Sequence, residues 1–303
     1  MDAAIEARGL VRHFGDVPAV DGIDLTVPSG AVYGFLGPNG SGKTTTIRLL
    51  LGLLRPDKGT IRLLGGSPHD AACLARVGAL VERPALYPYL SARENLLLFA
   101  TLAGMRGAVA DKAIDDALGM VGLGAVARRK AGGFSTGMLQ RLSMALALLR
   151  DPKLVILDEP TNGLDPAGVV DVRALIAEMA HSGRTVFLST HVLTEVEQLC
   201  DRVAVLQRGR MVAEGRTSEL LERGRRLAVG FDTSEQAARA TAVLAEAGVA
   251  AEAVDDCNVS VSLDGPGPSA INKLLAEHEL YPAELAVRRA SLESVFLELT
   301  EGV

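Results

Sequence analysis

The chain has 303 residues, room for one large domain or two smaller ones at ~150 residues each. It is 48% hydrophobic and 22% charged, which is normal for a folded protein with a sizeable core. A formal net charge of −6 does not advertise nucleic-acid binding, and no nucleic-acid partner is expected.

The first sixteen residues carry charges throughout and no apolar h-region, so no signal peptide is expected. No segment approaches the ~18 consecutive apolar residues of a membrane-spanning helix, and the best candidate, residues 95–105, is too short. The expectation is a soluble chain that meets a membrane only through a partner. Cys73, Cys200 and Cys257 are far apart, odd in number and without metal spacing, as for reduced thiols in a cytosolic protein. The five histidines form no ligand cluster. The triplets Asn39-Gly40-Ser41 and Asn258-Val259-Ser260 match a glycosylation acceptor only by chance in such a chain.

In chain order, residues 1–30 read as short strands with a turn, with Val20, Ile23, Leu25 and Val27 apolar in a polar stretch. Residues 31–36 are a short apolar run that suits a buried strand. A glycine-rich loop comes next, and then Ile47, Leu50, Leu51 and Leu54 repeat at helical spacing. Residues 60–64 read as another strand. Residues 84–150 read as mostly helical, broken at Pro84, Pro88 and the glycines near 104–107 and 132–133. Three further apolar runs, at 154–160, 185–190 and 202–206, alternate with a helical pattern at 167–180, which argues a parallel α/β sheet. Composition shifts after Gly224, and a boundary is placed near 220. Residues 225–303 read as strand, helix, strand, strand, helix, strand and a last amphipathic helix from Ser291. The pattern predicts a small α+β domain of ferredoxin-like kind.

Gly37-Pro38-Asn39-Gly40-Ser41-Gly42-Lys43-Thr44 fits the phosphate-loop pattern, between a strand and a helix as that pattern requires. Glycines let backbone N–H groups converge on phosphates, and the helix start adds unpaired N–H groups and a positive dipole end. Lys43 should reach the β- and γ-phosphates, and the Thr44 hydroxyl should bind Mg²⁺, with Thr45 beside it in the nucleotide set. Leu154 to Leu157 are four apolar residues ending in Asp158 and Glu159. Asp158 would hold Mg²⁺ through its water, and Glu159 would take a proton from the attacking water as general base.

Further motifs come in a fixed order. They are Phe134-Ser135-Thr136-Gly137-Met138-Leu139-Gln140-Arg141, then Leu157 through Asp165-Pro166, then Ser189-Thr190-His191. With the phosphate loop, this set resembles the ABC ATPases over about residues 3–220. The resemblance implies a phosphate-loop NTPase with a RecA-like parallel sheet core, an N-terminal antiparallel β part and a helical subdomain at about 84–150. The ATPase domain would span 1–220 and the accessory α+β domain 221–303. Phe14 falls where the family places an aromatic residue against adenine. Glu82-Arg83-Pro84-Ala85-Leu86-Tyr87-Pro88 falls where the family has its Q-loop, so Glu82 joins Thr44 and Asp158 as an expected Mg²⁺-site residue and joins Glu159 and His191 as a catalytic one. His191 is expected to hydrogen-bond the γ-phosphate. Gly37, Asn39, Gly40, Ser41, Gly42 and Lys43 are expected on the phosphates. Ser135 and Gly137 are expected to act on nucleotide bound by a second subunit, and Asp165 is expected among the nucleotide-binding residues.

Three departures from the family pattern stand out: Glu82 for Gln, Ser-Thr-Gly-Met for Ser-Gly-Gly-Gln at 135–138, and Phe14 for Tyr. Bacitracin- and lantibiotic-resistance exporters share the acidic choice at the Q-loop, and the segment Ser291–Thr300 resembles the tail of daunorubicin-type exporter ATPases. The implied protein is the ATP- and Mg²⁺-dependent subunit of an ABC transporter, exporting a drug, antibiotic or lipid-like molecule. It would work as a homo- or heterodimer on a separate membrane permease, peripheral to the cytoplasmic face. The segment from Glu82 through Arg93-Glu94-Asn95 would meet the permease. The alternatives are a non-transport ABC ATPase acting on ribosomes or nucleic acid, disfavoured by the single ATPase unit and the absence of heptads, and a small-molecule kinase, which would leave the signature and His191 unexplained.

Overall fold

The structure, a computed structural model, describes residues 2–81, 86–223, 225–263 and 265–288. Glu82 and the tail Ser291–Thr300 lie outside the described residues. The chain forms two compact units, 1–214 and 215–303.

The first unit opens with β1 (Ala3–Phe14), β2 (Val17–Pro28), β3 (Val32–Leu36), α1 (Lys43–Leu50) and β4 (Lys58–Leu63). Strands β1 and β2 are 12 residues long each, not the short strands expected from the sequence. Register shifts along their pairing, as between Ala7 and Leu10, break the period-two alternation that would have revealed their length. These strands form an antiparallel sheet in the order β2-β1-β4. Next come α2 (Ala71–Leu74), β5 (Val77–Leu80), α3 (Ala92–Leu102), α4 (Gly107–Met120) and α5 (Thr136–Leu148). The helical stretch is punctuated where caps dictate. Ser91 and Glu94 make a reciprocal capping box at the start of α3.

The unit continues through β6 (Leu154–Asp158), α6 (Pro166–His181), β7 (Thr185–Thr190), α7 (Leu193–Leu199), β8 (Arg202–Gln207) and β9 (Arg210–Arg216). The six-stranded sheet runs β5-β6-β7-β3-β8-β9, and its first five strands are parallel. All five residues of β3 and all six of β7 are buried, as expected for central parallel strands covered on both faces. Tyr33 and Phe35 stack against Phe187 across β3 and β7, with ring centroids 5.8 and 5.4 Å apart. On the opposite face of β3, a Cβ at Gly34 would stand 2.9 Å from the Cys200 sulfur, so glycine lets the end of α7 close onto the sheet. The β8–β9 hairpin turns at Arg208 (φ 47°) and Gly209 (φ 79°), the left-handed pair of a tight two-residue turn.

The second unit contains α8 (Thr217–Arg223), β10 (Arg226–Gly230), α9 (Ser234–Glu246), β11 (Ala251–Ala253), β12 (Asn258–Ser262), α10 (Pro268–Glu277) and β13 (Glu284–Arg288). Its antiparallel sheet is ordered β11-β12-β10-β13, a ferredoxin-like split βαβ arrangement. Leu227, Val229, Val259 and Val261 of the sheet bury against Ala240 and Leu244 of α9 and Ile271 and Leu275 of α10.

Candidate functional site: a nucleotide cleft at the carboxyl ends of the parallel strands

Strands β3, β6 and β7 run parallel and side by side, so their carboxyl ends deliver three loops to one edge of the sheet. The loop after β3 is the glycine-rich one. Gly37 cannot carry a side chain, because a Cβ would lie 2.4 Å from the Leu206 carbonyl oxygen. Gly42 has φ 106°, and a Cβ there would lie 2.3 Å from the Ala19 carbonyl oxygen. The loop is thus clamped from behind by β2 and β8, and its glycines leave no side chain in the way of a ligand. Helix α1 starts at Lys43, directly behind this loop.

The Lys43 ammonium is buried and donates to the carbonyl oxygens of Gly37 (2.8 Å) and Pro38 (3.2 Å). It also sits 3.1 Å from Oε1 of Glu159. Ser41 is buried, and its hydroxyl has no hydrogen-bond partner within the protein. A buried hydroxyl costs free energy unless paired, so Ser41 is fitted to a polar ligand in the loop. The loop therefore fits a polyphosphate on this structure's own geometry.

At the end of β6 the two carboxylates divide. Asp158 accepts from the Thr44 hydroxyl through Oδ2 at 2.8 Å and from the Ser189 hydroxyl through Oδ1. Glu159 turns into the left-handed region, φ 46°. That conformation costs a non-glycine residue about 1 kcal/mol. It is held by the Glu159 N–H, which donates to both the carbonyl and the hydroxyl of Ser189 at 3.1 Å. The result aims the carboxylate between two cationic or polar partners, with Oε1 on Lys43 and Oε2 at 2.8 Å from Nδ1 of His191. One threonine on, Thr190 fixes the backbone by donating to the buried Glu195 and accepting from the Val192 N–H. A cleft of about 260 Å³ opens here, lined by Asn39, Thr44, Gln140, Asp158, Glu159 and Asn162.

Other expected residues lie around this centre. Ser135 caps α5, accepting from the Met138 N–H, and neither Ser135 nor Gly137 lines the cleft of its own chain. Asp165 caps α6 through the Gly168 N–H at 2.9 Å, with Pro166 at the first helical position. Phe14 ends β1 half exposed, and the Arg12 guanidinium stands 5.2 Å over its ring. Arg12 is fixed in turn by Asp57, whose carboxyl is held below the usual range by the His13 backbone N–H, the His13 ring and Arg12. Burial pushes the thiols of Cys73 and Cys200 up, so neither is a reactive thiolate.

Sequence reasoning gave no role to three groups that the geometry makes prominent. Ser189 bonds both Asp158 and Glu159, Gln140 reaches the cleft from α5, and Asn162 lines it. All three fall inside the family's motifs, and only their positions in space separate them from their neighbours.

Among the described residues, no group of three or more His, Cys, Asp or Glu is arranged to hold a metal ion, and no helix is long and apolar enough to cross a membrane. A family model for ABC transporters matches residues 20–162. The chain is 38% identical to the bacitracin transport ATP-binding protein BcrA of Bacillus licheniformis, covering 100% of this chain and 99% of that one. It is 38% identical to the daunorubicin/doxorubicin resistance ATP-binding protein DrrA of Streptomyces peucetius, covering 98% and 92%. Among solved structures, cbiO1 of Clostridium perfringens, part of the ABC transporter complex cbiONQ, matches with a TM-score of 0.67 at 29% identity. That match covers 73% of this chain and 91% of the other. A chain that parallels such proteins from end to end, and folds into the same cassette, belongs to the ABC transporter ATP-binding family of ATPases.

Proposed function

We propose that this ATPase powers export of a drug, peptide antibiotic or lipid-like molecule through a separate membrane permease, as a Mg²⁺-dependent dimer. The observation that carries the site reading is the network Thr44–Asp158 and Lys43–Glu159, closed by His191. Lys43 and the loop N–H groups would take the β- and γ-phosphates. The Thr44 hydroxyl and Asp158, already 2.8 Å apart, are a hard-oxygen pair suited to Mg²⁺, with water and phosphate oxygens completing its shell. The ion would neutralise charge developing on the phosphates.

Lys43 moves from Glu159 to phosphate as nucleotide enters, which frees one carboxylate oxygen. Glu159 then accepts a proton from the attacking water as the new O–P bond forms and the β–γ bridge breaks. His191 keeps the carboxylate turned toward the cleft through Nδ1. The products are ADP and phosphate. Glu82 would contribute a further carboxylate near the metal.

Ser135 and Gly137 stand off their own cleft at the start of a helix, where unpaired N–H groups favour an anion. This supports a role on nucleotide held by a second subunit. The exporter reading rests on the full-length likeness to bacitracin transport and daunorubicin resistance ATP-binding proteins. In the same reading 1–220 is the ATPase domain and 221–303 an accessory module that packs or steadies the dimer. The chain would lie at the cytoplasmic face through its permease.

The test is size-exclusion chromatography of Glu159→Gln with ATP and Mg²⁺, alone and combined with Ser135→Arg. The expected result is an ATP-dependent dimer that Ser135→Arg abolishes while ATP still binds. A dimer that forms equally in the double variant would contradict the trans role.

A further inference from the structure

Glu159 sits in a strained turn, and strain persists only when neighbours hold it. From the upstream side the hold is plain: the Glu159 N–H is tied to β7 through Ser189. On the downstream side stands the next residue, Pro160. Its carbonyl oxygen accepts from Nε2 of Gln140 at 2.6 Å. Gln140 is on α5, five residues after the Ser135 cap, and its side chain also lines the cleft beside Asp158 and Glu159.

The same helix also lies close to α6 at two points. Arg141 approaches Asp171 at 3.6 Å, and a Cβ at Gly137 would meet the Gly168 backbone at ordinary contact distance, 3.8 Å. A Cβ at Gly168 would lie 2.8 Å from Oδ1 of Asp165, so a side chain there would push against the cap of α6. The opening turns of α5 and α6 are therefore neighbours. Gln140 is the side chain on α5 that bonds to the peptide following the catalytic carboxylate.

We infer that Gln140 is a positioning residue. Its amide fixes the Glu159–Pro160 turn to the helix that begins at Ser135. One side chain thereby links the carboxylate of a chain's own site to the helix end offered to the partner's nucleotide. The inference rests on the dimer reading above and adds a route by which engagement of one site reaches the other. A rotation or shift of α5 that follows binding at Ser135 moves the Pro160 carbonyl and, through it, the aim of Glu159. Small misplacements of a reacting group are costly, so this hydrogen bond controls rate by holding Glu159 in place.

The decisive variant is Gln140→Met, which keeps the length and packing of the stem and removes the N–H donor. Wild type, Gln140→Met and Glu159→Gln are compared as full-length chains for steady-state ATP turnover and thermal midpoint. In Gln140→Met, kcat falls about tenfold, KM for ATP stays within about twofold and the thermal midpoint is unchanged. Unchanged kcat overturns the inference, as does a fall in kcat matched by a fall in the midpoint, because packing alone would then explain it. Normal turnover in Glu159→Gln overturns the site reading instead, so the two failures are distinct.

Amide hydrogen exchange reads the same clamp without turnover. The Asn162 N–H donates to the Glu159 carbonyl and the Leu164 N–H to the Thr161 carbonyl, so both report on this turn. They exchange faster in Gln140→Met, while the amides of β6 keep their wild-type protection. Unchanged exchange at Asn162 and Leu164 overturns the inference.

Discussion

Replacing Glu159 by glutamine separates the contact with Lys43 from the proposed role as general base. Oε1 pairs with Lys43, and the two side chains are 5% and 18% exposed for lysine and glutamate respectively. Hydrogen bonds to charged groups contribute about 1.5–3 kcal/mol, and the partial exposure of Glu159 puts this pair nearer the low end. ATP must displace that pair before Lys43 can meet its phosphates. The neutral amide competes far less, so Glu159→Gln should bind ATP more tightly by about 1–2 kcal/mol, a factor of about five to thirty. Without nucleotide the same change replaces the carboxylate partner of Lys43 by a neutral amide beside the carbonyls of Gly37 and Pro38, and the thermal midpoint should fall by about 2–5 °C. Turnover should fall by about 10²–10⁴, the usual contribution of a general base. Isothermal titration with ATP and Mg²⁺, thermal melts with and without ATP, and phosphate release measure the three quantities. Affinity equal to or weaker than wild type would refute the reasoning, since it would mean that Glu159 does not hold Lys43 against the nucleotide.

The geometry sets three further outcomes. Gly42→Ala places a methyl group 2.3 Å from the Ala19 carbonyl at φ 106°, so it should abolish ATP binding and cost about 2–4 kcal/mol in urea unfolding. Phe14→Ala should weaken ATP about threefold to tenfold, from lost stacking of about 0.5–1.5 kcal/mol, and leave kcat at saturating ATP unchanged. Asp57 has a folded-state pKa below its unfolded value of about 4, so its contribution to stability is complete above that pH and is lost as the pH falls through the lower, folded value. Urea midpoints measured from pH 6 downward should therefore separate wild type from Asp57→Asn above about pH 4 and converge below it.

Much of this architecture is legible in the chain because its signals are local. The runs at 154–157 and 186–188 are apolar without alternation, as strands buried on both faces require. Because those strands are parallel neighbours, Asp158-Glu159 after the one and Ser189-Thr190-His191 at the end of the other arrive at the same sheet edge. The glycines of the phosphate loop are demanded by backbone clashes with Ala19 and Leu206, and a glycine pattern is visible in one dimension. The strand-helix-strand-strand-helix-strand order read after residue 225 is the order observed through β13.

Where the chain gave no signal, the reasons are physical. α2 and β5 are four residues each, too short to display a period. β9 is a half-exposed strand at the end of the sheet, Arg210–Arg216, whose polar composition conceals it. Lys43 and Glu159 are 116 positions apart in sequence, and nothing in either motif announces that they pair. Gln140 looks like one more polar residue on a helix until the turn at Pro160 is seen beneath it.

The central claim is that this ATPase drives a membrane permease. Its most direct test is affinity purification of the Glu159→Gln chain from detergent-solubilised membranes of the native cell, with and without ATP, and identification of the co-purifying proteins. The expected result is a polytopic membrane protein in fixed ratio to the ATPase. Recovery of ribosomal or nucleic-acid-associated proteins with no membrane partner would contradict it.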